Sequence, residues 1–329
     1  MKKKAFTIVM SIIVVAALIV PTAVSAGNYP SRTIQLITQI KAGNPAYAFV
    51  QVLADRMGKV LGKKIVTNAL PGASGVKAAR SVLSKPADGY TLFDGWVAST
   101  VIAVLERPNA GYTHKNFTPL GRMNTLPLTL IVKGDSPLKN LDDFIAYAKK
   151  NPGLSYGCAG DRSIPHALLA TFFKDLGIKV RGIPYPGIGA GIKDLLGGTL
   201  DFSVGMFPLI KIYGDEIRTL CVFRDERHPW YPDIPTVKEF NMDPGFGEAG
   251  AGWNAFYVKK GTPPDRLEKL QSAFKQVMAS DEFNAQAQKM GFTIDYIEPD
   301  GVYALCEESM VKIKRGLENV KWEKKQFSK

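Results

Sequence analysis

Two spacings of apolar residues alternate along the chain. Thr33 to Ile40 is a short apolar-rich run that reads as a buried strand. Ala46, Phe49, Val50, Leu53, Met57, Val60 and Leu61 then recur every three or four residues, as on one face of a helix. The alternation repeats: Ile65 to Asn68 predicts a strand, Ser74 to Leu83 a helix, and Tyr90 to Phe93 a strand after the Asp88-Gly89 turn. After an extended stretch from Phe117 to Val132 the pattern starts again. Asn140 is placed to cap a helix whose first turn holds Asp142 and Asp143 and whose last holds Lys149 and Lys150, so both ends complement its dipole. Leu154 to Gly157, Val180 to Ile183, Leu200 to Val204 and Ile217 to Phe223 read as strands, with helices at about 163 to 176 and 187 to 197. Trp253 to Val258 predicts a further strand, followed by helices near 264 to 280 and 300 to 320. Strands alternating with helices predict an α/β fold with a parallel-rich sheet covered on both faces in each of two units.

Ahead of the first strand, Lys2, Lys3 and Lys4 precede an apolar run from Ala5 to Val20, then Pro21 and Ala23-Val24-Ser25-Ala26. This predicts a secretory signal peptide over residues 1–26, cleaved after Ala26. The alternative, a retained anchor, would need about 20 apolar residues to span a bilayer, and the run is shorter. No cysteine stands near the cleavage point, which argues against a lipid-anchored form. Residues 27–329 suit two domains, expected as residues 27–127 with 248–329 in one lobe and 128–247 in the other. Segments near 117 to 132 and 247 to 258 are expected to cross between them, and the C-terminal helices to return to the first lobe.

The formal charge of +12 falls to +9 for residues 27–329, because the three lysines are the only charged residues before them. A basic surface concentrates anions, although net charge alone is equally met by a surface without functional meaning. No nucleic-acid motif occurs, so nucleic acid is not an expected partner. Cys158, Cys221 and Cys306 are too few and too scattered for a disulfide framework and read as buried thiols. His114, His166 and His228 lack metal-ligand spacing, and no nucleophile elbow is present, so neither a metal nor a cofactor is expected. Cys158 and His166 could be read as a nucleophile and its base. A small buried thiol beside a helix-terminal histidine is the better reading, because nothing marks an oxyanion hole or a third member.

The chemistry the sequence does supply lies in loops that end strands and open helices, where free backbone N–H groups and the positive end of the dipole bind a carboxylate. Lys41 to Tyr47 follows the first strand, with Asn44 as N-cap and Pro45 at the first helical position. Pro71 to Gly75 follows the second. Gly157 to Ser163 opens a helix in the second unit.

These loops and their surroundings resemble the extracytoplasmic receptors of tripartite tricarboxylate transporters, the Bug family. The resemblance is carried by Tyr29-Pro30-Ser31-Arg32-Thr33-Ile34, Pro71-Gly72-Ala73-Ser74-Gly75, Pro86 to Leu92, Tyr156 to Gly160, Pro184-Tyr185-Pro186-Gly187, Asp194 to Gly198, Asp233 to Val237 and Gly261-Thr262-Pro263. It implies a two-lobed periplasmic binding protein of the type II Venus-flytrap class with two crossover hinge segments. By position it implies ligand contacts from Ala42, Gly43, Asn44, Ala46, Tyr47, Ser74, Cys158, Ala159, Arg162 and Ser163. The chain departs from the family where Asn44 and Pro45 interrupt a glycine run, where Tyr47 replaces an aspartate, and where Cys158 and Arg162 replace a serine and a glycine.

The expected function is a monomeric, non-enzymatic periplasmic receptor that captures a small organic carboxylate for one large and one small integral membrane transporter subunit. The alternatives are a sensor of the same fold feeding a membrane signalling partner, and a secreted enzyme built on Cys158 and His166. Tyr47, standing in place of the acid that would hold an ammonium, predicts an acid without a free α-amino group, aromatic or partly apolar. Arg162 is expected either to grip its anionic end or to point to solvent or pair with Asp161.

Overall fold

The alternating strands and helices close into two mixed sheets. The computed structural model describes residues 29–243 and 252–327; the leader expected over residues 1–26 lies outside the described residues. In the first lobe the order is β1 (Ile34–Thr38), α1 (Pro45–Leu61), β2 (Ile65–Ala69), α2 (Val76–Leu83) and β3 (Thr91–Trp96). A π turn over Ala98–Ile102 follows, then the short α3 (Ala103–Glu106) and β4 (Phe117–Leu126). The second lobe runs β5 (Leu128–Lys133), α4 (Leu141–Lys150), β6 (Leu154–Ala159), α5 (Ile164–Asp175), β7 (Val180–Tyr185), α6 (Ile188–Leu196), β8 (Phe202–Met206), α7 (Phe207–Tyr213) and β9 (Ile217–Val222). The chain then returns through β10 (Gly252–Lys259), α8 (Pro264–Met278), α9 (Asp281–Lys289), β11 (Ile294–Ile297) and the long α10 (Pro299–Lys325).

The first sheet has the order β11-β4-β10-β3-β1-β2 and the second β7-β6-β8-β5-β9. Parallel pairs stand at β2-β1-β3 and at β7-β6-β8, where helices connect consecutive strands. The strands that carry the chain between lobes, β4, β5 and β10, pair antiparallel with their neighbours, because they enter each sheet from the other lobe. The stretch expected as one extended segment is therefore two strands, one per sheet, separated by Pro127 alone. Proline has no N–H to give to a ladder, which suits the point where the chain leaves one sheet for the other.

Local signals set the helix starts. The Asn44 side chain accepts from the Ala46 N–H, with Pro45 in the first turn, and α1 ends on left-handed Gly62. Asn140 accepts from Asp143 N–H at the start of α4, and Ser163 from His166 N–H at the start of α5. One face of the first sheet buries Leu36, Leu92, Phe256 and Leu120 against α1, α8 and α9. There Phe49 stacks on Phe292 with ring centroids 4.3 Å apart. The other face joins a second core that continues into the second lobe through Val97, Leu130, Phe173 and Val320.

The C-terminal helix corrects the expected boundary. Residues 248–329 do not all belong to the first lobe. Near its start, α10 gives the Tyr303 hydroxyl to Phe117 O at 2.6 Å. Near its end it lies on α5 and β7 of the second lobe: Asn319 Nδ2 donates to Thr171 Oγ1 at 3.0 Å, and Arg315 pairs with Asp175 at 2.7 Å. A helix of 27 residues is about 40 Å long, enough to span both lobes.

Candidate functional site

Strands of both sheets end at one cavity of about 610 Å³. From the first lobe come Trp96 at the end of β3, Val97, Ala98 and Ile102 of the π turn, Glu106 at the end of α3, and Ser74. From the second come Ala159 at the end of β6, the loop from Gly160 into Pro165, Ile188 and Gly189 at the start of α6, and Met206 and Leu209. Leu126, Leu128 and Gly252 belong to the crossing strands. The cavity thus lies at carboxyl ends of strands, where open α/β sheets place their ligands, and between lobes hinged by the strands that line it.

Polar and charged side chains of Ser74, Glu106, Asp161, Arg162 and Ser163 share the lining with the starts of two helices. The starts of α5 and α6 both open at the cavity, through Ser163 to Pro165 and through Ile188 and Gly189. An α-helix leaves its first N–H groups without intrahelical partners, and the positive end of its dipole adds to their attraction for an anion. At α5 the Ser163 side chain takes the His166 N–H and Pro165 has none, whereas Gly187, ahead of α6, offers no side-chain cap. On the opposite lobe Ala73, Ser74 and Gly75 are consecutively left-handed, with φ of 52°, 54° and 89°. A Cβ on Gly75 would run into the carboxamide of Gln39 and lie 2.5 Å from Ser99 Cβ, so this turn packs too closely for any other residue. Most of the remaining wall is apolar. Trp96 is aimed by its indole N–H, which donates to Asp94 Oδ2 at 3.2 Å. Asp94 is fully buried and also accepts from Thr38 Oγ1 at 2.7 Å and Asn254 Nδ2 at 2.8 Å. Burial raises its carboxyl to about 6 against the lowering effect of those hydrogen bonds.

The loop between β6 and α5 is held from behind by the end of α10. Glu323 accepts from the Tyr156 hydroxyl at 2.8 Å and from Gly182 N–H at 2.7 Å, and lies 3.3 Å from His166 Nε2. Arg162 N–H approaches His166 Nδ1 at 3.3 Å. A ring carrying its hydrogen on Nε2 serves both contacts, so Glu323 fixes the imidazole and the imidazole fixes the loop. Asp161 pairs with Lys324 at 2.6 Å. Burial opposes its ionisation, but the lysine outweighs it and holds the carboxyl below its ordinary range. Arg162, left-handed at φ 55°, sends Nε–H across the cleft to Glu106 Oε1 at 2.6 Å.

Of the residues singled out from the sequence, Ser74, Ala159, Arg162 and Ser163 meet at this cavity. Ala42, Gly43, Asn44, Ala46 and Tyr47 do not line it. Asn44 is spent on capping α1, and the Tyr47 hydroxyl donates to Thr67 O at 3.2 Å, towards the edge strand β2. Cys158 lies beneath the loop, its thiol directed at Gly160 O and Ile183 O. Burial pushes that thiol up to about 12, and His166 bonds elsewhere, so the two form no nucleophile and base. Cys221 and Cys306 are also free and buried. Arg162 takes neither expected course within the chain, since its partner is Glu106 rather than solvent or Asp161. Sequence reasoning passed over Trp96, Glu106, Ile188 and Met206. Three of these adjoin turns that end strands, and the rule that ligands gather at strand ends would have found them; Glu106 carries no such signal.

The profile of the tripartite tricarboxylate transporter family receptors matches residues 49–321. A Cupriavidus necator protein described as a UPF0065 protein in the gbd 5' region is 30% identical over 310 residues, 91% of this chain and 91% of the relative. The crystal structure of a TctC solute-binding protein from Polaromonas matches with a TM-score of 0.77 and 26% identity, over 88% of this chain and 99% of that one. An R. palustris protein solved with adipate matches with a TM-score of 0.72 and 25% identity, over 89% and 98% of the two chains.

Proposed function

This chain belongs to the tripartite tricarboxylate transporter receptor family, a family of solute-binding proteins rather than enzymes, and we propose that it captures a small organic carboxylate outside the cytoplasmic membrane for a large and a small membrane transporter subunit. The observation that carries this reading is the junction of helix starts from α5 and α6 with the Ser74 turn of the opposite lobe around one cavity. Such a site holds a carboxylate through backbone N–H groups, without a dedicated cation. The volume of about 610 Å³ suits a small organic acid rather than a polymer. The adipate held by the R. palustris relative agrees with that ligand class. Closure of the lobes about the crossing strands would bury the ligand and give the membrane subunits a shape to distinguish from the empty form.

A ligand that binds only the folded protein raises its apparent stability by mass action. A thermal-shift screen of mono-, di- and tricarboxylates beside uncharged solutes tests the proposal. At least one acid should raise Tm in a concentration-dependent manner. A rise with an uncharged solute and with no acid would sink the carboxylate reading.

A further inference from the structure

Among the described residues that line the cavity, three side chains carry formal charge: Glu106, Asp161 and Arg162. Asp161 is engaged by Lys324. Arg162, the sole cation of the three, is engaged by Glu106, and the two side chains are only 31% and 28% exposed. This pair joins the lobes, since Glu106 ends α3 and Arg162 stands on the loop after β6. The wall around it is apolar, with Trp96, Ile102, Leu128, Ile188 and Met206 contributed from both sides.

We propose that the Arg162–Glu106 pair makes this receptor selective for acids with a single carboxylate on an apolar body, and that Glu106 is the residue that turns dicarboxylates away. The inference rests on the carboxylate reading above and narrows it. The helix starts can neutralise one carboxylate without a cation. A second carboxylate on the same small ligand needs another source of positive charge, and Arg162 is the candidate at hand. Taking it means breaking the contact with Glu106, which would leave an unpaired carboxylate beside an anion in an apolar-walled space. Removing the partner of a partly buried charge is costly, and two like charges so close repel strongly. A methyl, alkyl or aryl end incurs neither cost and gains contact with Trp96 and the aliphatic wall.

The test is calorimetry with acids matched in size, hexanoate against adipate and benzoate against terephthalate, on the whole protein and on Glu106→Gln. The single-carboxylate member should bind the native protein tighter by about ten- to a hundredfold. Glu106→Gln leaves Arg162 free to accept a second carboxylate, and should bring the ratio close to one, chiefly by strengthening the diacid. Adding Arg162→Gln to that variant should remove the diacid's gain, which a mere loosening of the lobes would not predict. Adipate binding as tightly as hexanoate to the native protein, or a ratio unmoved in Glu106→Gln, overturns this inference alone. Failure of every acid of both kinds to bind overturns the carboxylate reading and this inference with it.

Discussion

Single residues in this protein act through what surrounds them. Asp94 stands within β3, where from sequence it has no more meaning than any other acid, yet it is fully buried with three side-chain donors around it. Because burial raises its folded pKa from 3.8 to about 6, the folded state binds this proton more tightly than the unfolded chain. Stability from this group is therefore fully present below the unfolded pKa of 3.8 and is lost as pH rises to about 6, with no further change above that. The loss is on the order of 3 kcal/mol. Asp94→Asn should flatten this part of the profile. Asn254 Oδ1 lacks a partner, so a turned Asn254 amide could accept from the new side chain. Urea unfolding of both proteins from pH 4 to 7 checks it, and parallel curves would show that Asp94 does not titrate in that window.

Among the elements, α10 has the greatest reach. Its apolar stripe is legible in sequence, and so is its existence, but a stripe does not say which surface it covers. The helix begins against β4 and ends on the second lobe, where buried Glu323 gathers Tyr156, Gly182 and His166. Glu323→Ala strips three buried polar groups of their partner, and should cost about 3 kcal/mol or more in denaturant unfolding. Glu323→Gln, which keeps an acceptor in place, should cost less. Equal stability of the native protein and Glu323→Ala would mean that the end of α10 is not clamped. Other elements divide in the same way. The caps at Asn44 and Asn140 were readable because each acts within three residues of itself. The short β11 and α9 were not, since β11 is formed by pairing with β4 and by the grip of Arg122 on Asp295 O at 2.9 Å.

At the scale of the molecule, function depends on how the lobes approach each other. Besides α10, polar contacts among the described residues that link them include Arg162 with Glu106, and His228 Nε2 with Thr293 Oγ1 at 2.9 Å. Trp96 lies in the wall between them, so a ligand that draws the lobes together changes the solvation of its indole. The chain has four tryptophans, and Trp253 is fully buried away from solvent. Ligand should therefore shift the intrinsic fluorescence, and Trp96→Phe should remove most of that shift. A shift of full size in Trp96→Phe would place the ligand elsewhere.

The sequence by itself determined most of the strands and helices, the caps at Asn44 and Asn140, the two α/β units and the family, because periodicity, capping and turn chemistry each operate over a few neighbouring residues. It also singled out Ser74, Ala159, Arg162 and Ser163, which the structure places on the cavity wall. Only the tertiary structure decided that Tyr47 turns to Thr67, that Arg162 meets Glu106, and that α10 crosses to the second lobe. Those outcomes depend on strand order and on the placement of one sheet against the other. The partners lie tens to more than a hundred residues apart, and no local pattern records which loop tips converge across the cleft.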